Sequence, residues 1–149
     1  MRALIQRVKH AQVTVDGQVV GRIGGGILTL LGVGKADTAA EAERIASKIL
    51  KLRIFEDEQG KMNRSLIDIG GEHLIVSQFT LFADTAKGNR PSFVDAAPPA
   101  LAKELYGKVL ELCRLQGIRT EGGTFQAHME VSLLNDGPVT LMIDTDGQA

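Results

Sequence analysis

The run His73-Leu74-Ile75-Val76-Ser77-Gln78-Phe79-Thr80-Leu81-Phe82 has the β-branched and aromatic content of a buried strand, yet it carries two hydroxyls and an amide within four residues. A buried polar group without a partner costs about 1–3 kcal/mol, so Ser77, Gln78 and Thr80 either bond to neighbouring backbone or are kept for chemistry. The chemistry open to them is nucleophilic attack or the holding of a developing negative charge. Thr80 could attack as a nucleophile, but that requires a base to take its proton, and none is near it in sequence. Alternatively, backbone N–H groups around Phe79 and Thr80 at the strand end could hold a developing oxyanion. Strand alternation pairs Ser77 with Phe79 and Gln78 with Thr80. A pocket using both Ser77 and Thr80 therefore requires a bulge or the end of the strand.

A second apolar run is broken by Asn135-Asp136-Gly137-Pro138-Val139-Thr140. Proline cannot donate within a sheet, so Gly137-Pro138 belongs at a turn or an edge, and the plain reading is a tight hairpin turn. Such a turn would also hold stiff carbonyls against a ligand. Residue types leave both the cis and the trans bond open. Lys87 and Arg90, around Gly88-Asn89, read either as a solvated loop or as contacts to phosphate or ribose.

Other signals carry less. Gly24-Gly25-Gly26 and Gly32-Val33-Gly34-Lys35 match neither a P-loop nor a dinucleotide fingerprint and read as turns and close approaches. His10, His73 and His128 have no metal-ligand spacing, and Gly-x-Ser-x-Gly does not occur. We expect neither metal nor cofactor. Cys113 is the only cysteine, falls on the apolar side of a helix, and reads as a buried structural thiol.

These candidates need elements to position them. The chain has 149 residues, 44% of them hydrophobic and 23% charged, which suits one domain spanning residues 1–149. Its net charge of −1 argues against bulk nucleic-acid binding and leaves a local patch or shape recognition. No apolar run reaches the roughly 18–20 residues of a membrane span, and charges thread the N-terminus. A cytoplasmic protein without a membrane partner is expected.

Residues 2–15 and 18–23 read as strands joined at Asp16-Gly17. Residues 27–33 read as a central strand. Thr38-Ala39-Ala40-Glu41 is a capping box for a helix ending near Arg53. Residues 53–72 read as a short strand and polar turns, and 73–82 as a strand. Pro98-Pro99 opens a second helix that stops at Gly117. Residues 118–127 read as irregular, 128–134 and 139–143 as two strands flanking the Gly-Pro turn, and the tail from Thr145 as loose. The sum is an α+β domain with a mainly antiparallel, barrel-like sheet and two amphipathic helices.

The chain resembles the D-aminoacyl-tRNA deacylases. The likeness is carried by Met1-Arg2-Ala3-Leu4-Ile5-Gln6-Arg7-Val8, Ser77-Gln78-Phe79-Thr80-Leu81, Lys87-Gly88-Asn89-Arg90-Pro91-Ser92-Phe93 and Asn135-Asp136-Gly137-Pro138-Val139-Thr140, in order along nearly the whole length. The resemblance implies a homodimer with active sites at the subunit interface, acting on aminoacyl-tRNA. It implies that Ser77, Gln78, Phe79 and Thr80 line the pocket for the terminal adenosine and its amino acid. It further implies that Gly137 and Pro138 form a cis dipeptide reaching into the partner's pocket, braced by Arg7. Under that reading the ester of D-aminoacyl-tRNA, or of glycine mischarged on tRNA(Ala), is hydrolysed with help from the tRNA 2′-hydroxyl, while L-aminoacyl esters are excluded. An RNA-binding module without catalysis and a small-molecule esterase acting through Thr80 are the rival classes.

Overall fold

Strand β1 (Arg2–Val15) is the axis of the molecule, because it is long enough to serve three neighbours. Its second half pairs antiparallel with β2 (Gln18–Ile23) across the Asp16-Gly17 turn, where Asp16 and Gly17 both take positive φ (49° and 77°). Its first half pairs antiparallel with β3 (Gly26–Gly32). Along its other edge runs β8 (Glu130–Asp144), also antiparallel. The computed structural model describes residues 1–147.

Beyond β3 the sheet turns parallel, through β6 (Glu72–Ser77) to β7 (Thr120–Gly122). The sheet curls until β2 approaches β7, and a Cβ at Gly21 would collide with the Gly122 carbonyl. The result is a nearly closed, mixed barrel. Inside it pack Val8, Ala11, Val13, Ile23, Leu28, Leu74 and Val76. Outside, Ala3, Ile5, Ile27, Leu31 and Ile75 pack against two helices. Both faces of β3 are therefore buried, which explains its unbroken apolar run and the central place expected for it.

Helix α1 (Ala39–Lys51) has the expected capping box: Ala40 N–H donates to Thr38 Oγ1 (3.3 Å) and Thr38 N–H donates to Glu41 Oε2 (2.7 Å). The Thr38 hydroxyl and N–H, both donating to the Glu41 carboxylate, together with Arg44 hold that carboxyl down at about 2. Helix α3 (Pro99–Leu115) starts at proline and ends where Gly117 takes φ +79°. Between the helices lie the β4–β5 ribbon (Phe55–Glu56 and Met62–Arg64) and α2 (Leu66–Ile69), one turn capped reciprocally by Ser65 and Asp68. The α+β class and barrel-like sheet hold, with three corrections. Among the described residues there are three α-helices, not two, because the Ser65/Asp68 cap stabilises a turn too short to show periodicity. Residues 120–122 are a strand, because the free edge of β6 captures them. The tail begins beyond Thr145, which is buried, its N–H donating to Met1 O (2.9 Å) and its Oγ1 accepting from the Met1 amine (2.7 Å). Gln148 and Ala149, part of that expected tail, lie outside the described residues.

Two titratable groups are sealed in the core. His73 is fully buried, with Nε2 2.8 Å from Thr29 Oγ1 and Nδ1 without a partner; burial drives its pKa down to about 3. Burial also pushes the Cys113 thiol up to about 12, which fits a structural thiol. Among the described residues no helix is long and apolar enough to cross a membrane.

Candidate active site

The strand expected over 73–82 ends at Ser77. Gln78 leaves the extended region (φ −144°, ψ 83°), and Phe79–Phe82 close one 3₁₀ turn. The cause lies on the neighbouring strand. Gln78 N–H makes a last ladder bond to Leu31 O (2.8 Å), and then the chain folds over the end of β3. A Cβ at Gly32 would stand 3.1 Å from Gln78 O and from Leu81 Cβ, so glycine lets the turn sit down on the sheet. The strand end that a shared pocket for Ser77 and Thr80 required is thus present at the right place.

The turn is closed by Leu81 N–H to Gln78 O (3.3 Å) and Ala83 N–H to Thr80 O (3.1 Å). Among the described residues the N–H groups of Phe79 and Thr80 donate to no protein acceptor, as is usual for the opening of a helical turn. They lie on an exposed segment, with the Phe79 side chain 54% exposed. The Gln78 side-chain amide donates to Thr80 Oγ1. Among the described residues this is the only side-chain partner of the threonine hydroxyl, and an amide NH₂ cannot take a proton from it. The geometry therefore supplies hydrogen-bond donors and no base for Thr80.

Phe93 meets Phe79 edge-on, with centroids 4.9 Å apart, and fastens the following loop to the turn. That loop is pinched at its base by Asp84 N–H to Ser92 O (2.8 Å) and Ser92 N–H to Asp84 O (2.9 Å). Lys87 and Arg90 are exposed on the loop beyond that pinch, and neither is engaged in an ion pair or side-chain hydrogen bond among the described residues.

Gly137-Pro138 is not a hairpin turn. The segments on either side of it are one strand, β8, running along the same neighbour. Asn135 stands opposite Val8 and Thr140 opposite Gln6, so Asp136 to Val139 bulge out against the single residue Arg7. Apolar runs on both sides look alike whether the chain reverses or continues, and only the shared partner β1 distinguishes them. The Gly137-Pro138 bond is cis and Gly137 takes φ +136°. A Cβ there would lie 2.8 Å from Val139 Cγ2 and 3.1 Å from Arg7 Nη2.

The bulge is braced from below. Buried Arg7 donates through Nε to Asp136 O (3.0 Å) and through Nη1 to Ile54 O (2.7 Å), with Asp136 Oδ2 at 3.5 Å. Asn135 Nδ2 closes the neck, donating to Arg7 O (2.9 Å) and to Val139 O (3.0 Å). Gly137 and Pro138 remain exposed at the tip. Residue types gave no signal for the role of Asn135 beyond its place in the interrupted run.

The turn and the bulge do not meet within one chain. Arg2 donates to the turn (Nη1 to Leu81 O, 2.9 Å) and Arg7 to the bulge, five residues apart on β1, or roughly 17 Å along an extended strand.

The D-Tyr-tRNA(Tyr) deacylase family model matches residues 4–144. A D-aminoacyl-tRNA deacylase of Thermosipho africanus is 57% identical over 145 residues, covering 97% of each chain. One from a Jannaschia species is 58% identical over 97% of this chain and 99% of its own. Among solved structures, a c-Myc DNA unwinding element binding protein superposes with a TM-score of 0.91 at 44% identity, covering 97% of this chain and 99% of that one. A probable eukaryotic D-amino acid tRNA deacylase, at 18% identity and TM-score 0.80, shares the fold. The match along nearly the full length, with the same barrel beneath it, establishes that this chain belongs to the D-Tyr-tRNA(Tyr) deacylase family of hydrolases.

Proposed function

We propose that the protein hydrolyses the ester linking a D-amino acid, or glycine on tRNA(Ala), to the 3′ end of tRNA. The observation that carries this reading is the pair of unpaired N–H groups of Phe79 and Thr80 on an exposed turn, in a chain of a deacylase family. Water adds to the ester carbonyl, and the two N–H groups stabilise the resulting oxyanion. The bond to the 3′ oxygen then breaks, releasing free amino acid and tRNA. The neighbouring 2′-hydroxyl relays the proton, and holding it in line with water and ester supplies much of the rate. This chemistry needs no protein base, which agrees with the neutral surroundings of Thr80.

Selectivity is assigned to Gly137 and Pro138. Pro138 has no N–H, so the tip of the bulge offers acceptors for the α-ammonium and little room for an L side chain. Glycine has no side chain to reject. Arg2, which touches the turn, and Arg7, which touches the bulge, stand roughly 17 Å apart along β1, so the bulge is assigned to the site of a second copy. A two-fold axis through the stretch of β1 between Arg2 and Arg7 exchanges the two ends and makes two equal composite sites in a homodimer. The cross-strand pair Leu4 and Met142 supports this arrangement by leaving apolar surface there, Met142 being 42% exposed. Lys87 and Arg90, on a loop fastened to Phe79, contact the tRNA backbone.

Side-by-side hydrolysis of D-aminoacyl-, L-aminoacyl- and glycyl-tRNA tests the reading. D and glycyl esters should be cleaved and L esters spared. Equal cleavage of D and L esters would remove the gate. Binding without cleavage would favour an RNA-binding module. Cleavage of free amino-acid esters indifferent to tRNA would favour a simple esterase.

A further inference from the structure

We infer that Arg2 is a positioning residue for this reaction: it fixes the closing end of the Phe79–Phe82 turn and thereby aims the Phe79 and Thr80 N–H groups. The inference rests on the deacylase reading above. Arg2 stands on β1 between Gly32 of β3 and Asp144 of β8. From there its guanidinium makes three contacts at once. Nη1 donates to Leu81 O (2.9 Å), Nε donates to Asp144 Oδ2 (2.9 Å), and the plane lies 4.5 Å from the centroid of the Phe82 ring.

Leu81 and Phe82 also pack over Gly32 and Gly34, but that apolar contact does not fix the direction of the backbone. The turn's own closing bonds are two, one of them 3.3 Å long. The opening end, by contrast, continues the sheet through Gln78 N–H to Leu31 O. Four residues in a 3₁₀ turn shift together, so slack at Leu81 reaches Phe79 and Thr80. A half-exposed ion pair with Asp144 would by itself contribute little. The informative contact is the carbonyl bond made while the guanidinium is stacked on Phe82. A planar fork can do both and a lysine ammonium cannot. The rival role for a half-exposed arginine near this site is a phosphate contact, which would appear in KM rather than in kcat.

The test is steady-state kinetics on a D-aminoacyl-tRNA with wild type, Arg2→Ala, Arg2→Lys, Phe82→Leu and the Arg2→Ala/Phe82→Leu double variant. Arg2→Ala should lower kcat by about 30-fold with KM within about twofold, in line with the cost of misaiming a reacting group. Arg2→Lys should recover less than about threefold of that loss. Phe82→Leu should lower kcat less, and the double variant should be no worse than Arg2→Ala by more than about twofold, because both act on one contact. A raised KM with unchanged kcat, full recovery in Arg2→Lys, or multiplying effects in the double variant would overturn the inference. Arg2→Lys and Phe82→Leu decide the matter if Arg2→Ala does not fold. A wild type inactive on every D-aminoacyl-tRNA would bring down the deacylase reading itself, whereas an active wild type with unmoved variants removes only the role of Arg2.

Discussion

Two interruptions of the sheet, after Ser77 and at Asp136–Val139, have opposite polarity. The turn presents donors: the N–H groups of Phe79 and Thr80 are free, and few bonds restrain it. The bulge presents acceptors: proline has no N–H, and Arg7 Nε and Nη1 and Asn135 Nδ2 donate to the carbonyls that brace its base. A reaction that builds negative charge on a carbonyl oxygen beside a positive ammonium needs both kinds of surface. Separating them on one chain and joining them across two would make each site depend on assembly.

The contrast between a braced bulge and a lightly held turn can be broken by substitution. The largest effect is expected at the brace. Arg7→Ala strands the carbonyls of Ile54 and Asp136, so it should cost about 1–3 kcal/mol in urea unfolding. It should also lower kcat/KM on D-aminoacyl-tRNA about 100-fold by letting the tip wander. A folded Arg7→Ala enzyme with normal kinetics would mean that the bulge needs no bracing.

Next comes the strand that carries the turn. His73 on β6 is neutral in the fold, with its pKa down at about 3, and titrates near the ordinary value of 6.5 once unfolded. As pH falls below 6.5 the unfolded chain takes up a proton that the folded chain refuses until about pH 3. Stability should therefore be level above pH 6.5 and fall below it, with the folding constant dropping roughly 30-fold between pH 7 and pH 5. His73→Gln should lose that slope, and urea titrations at several pH values would show it. A slope unchanged in the variant would assign the acid sensitivity elsewhere.

Smaller effects separate the proposed roles of tip and turn. Pro138→Ala should narrow the D-over-L preference about tenfold while D hydrolysis changes less, since only the excluding surface is altered. An unchanged preference in a folded variant would remove the gate from the bulge. The smallest effect is expected for Thr80→Ala, within about fivefold of wild type, because its hydroxyl has no base. Near-complete loss, together with an acyl ester trapped on Thr80 of the wild type, would make the turn a nucleophile's seat.

Local chemistry made some of this molecule legible in its sequence. Thr38 and Glu41 announced α1 because a capping box lies within four residues. Asp16-Gly17 announced the first hairpin for the same reason. The end of β6 was harder, since Val76 and Phe79 are equally good strand residues. The decision is made by Gly32 on another strand, which lets the chain fold over. The Gly-Pro segment was found by composition, but its shape was misread, because a reversal and a bulge differ only in which strand receives the far side. Arg2 gave no local signal at all; its three side-chain contacts come from β8 and the turn, both far along the chain.

The neck of the bulge has a consequence of its own. Asn135 bridges Arg7 O and Val139 O, while Gln6 Nε2 reaches Thr140 Oγ1 (3.2 Å) on the next rung. Together these bonds fix the rung at which the ladder resumes beyond the neck, and they oppose a one-residue slip, which would turn every side chain of β8 to the wrong side. Evolution or an engineer can lengthen, shorten or recolour the protruding tip as a detachable fingertip, altering what it admits while the palm of the sheet stays still.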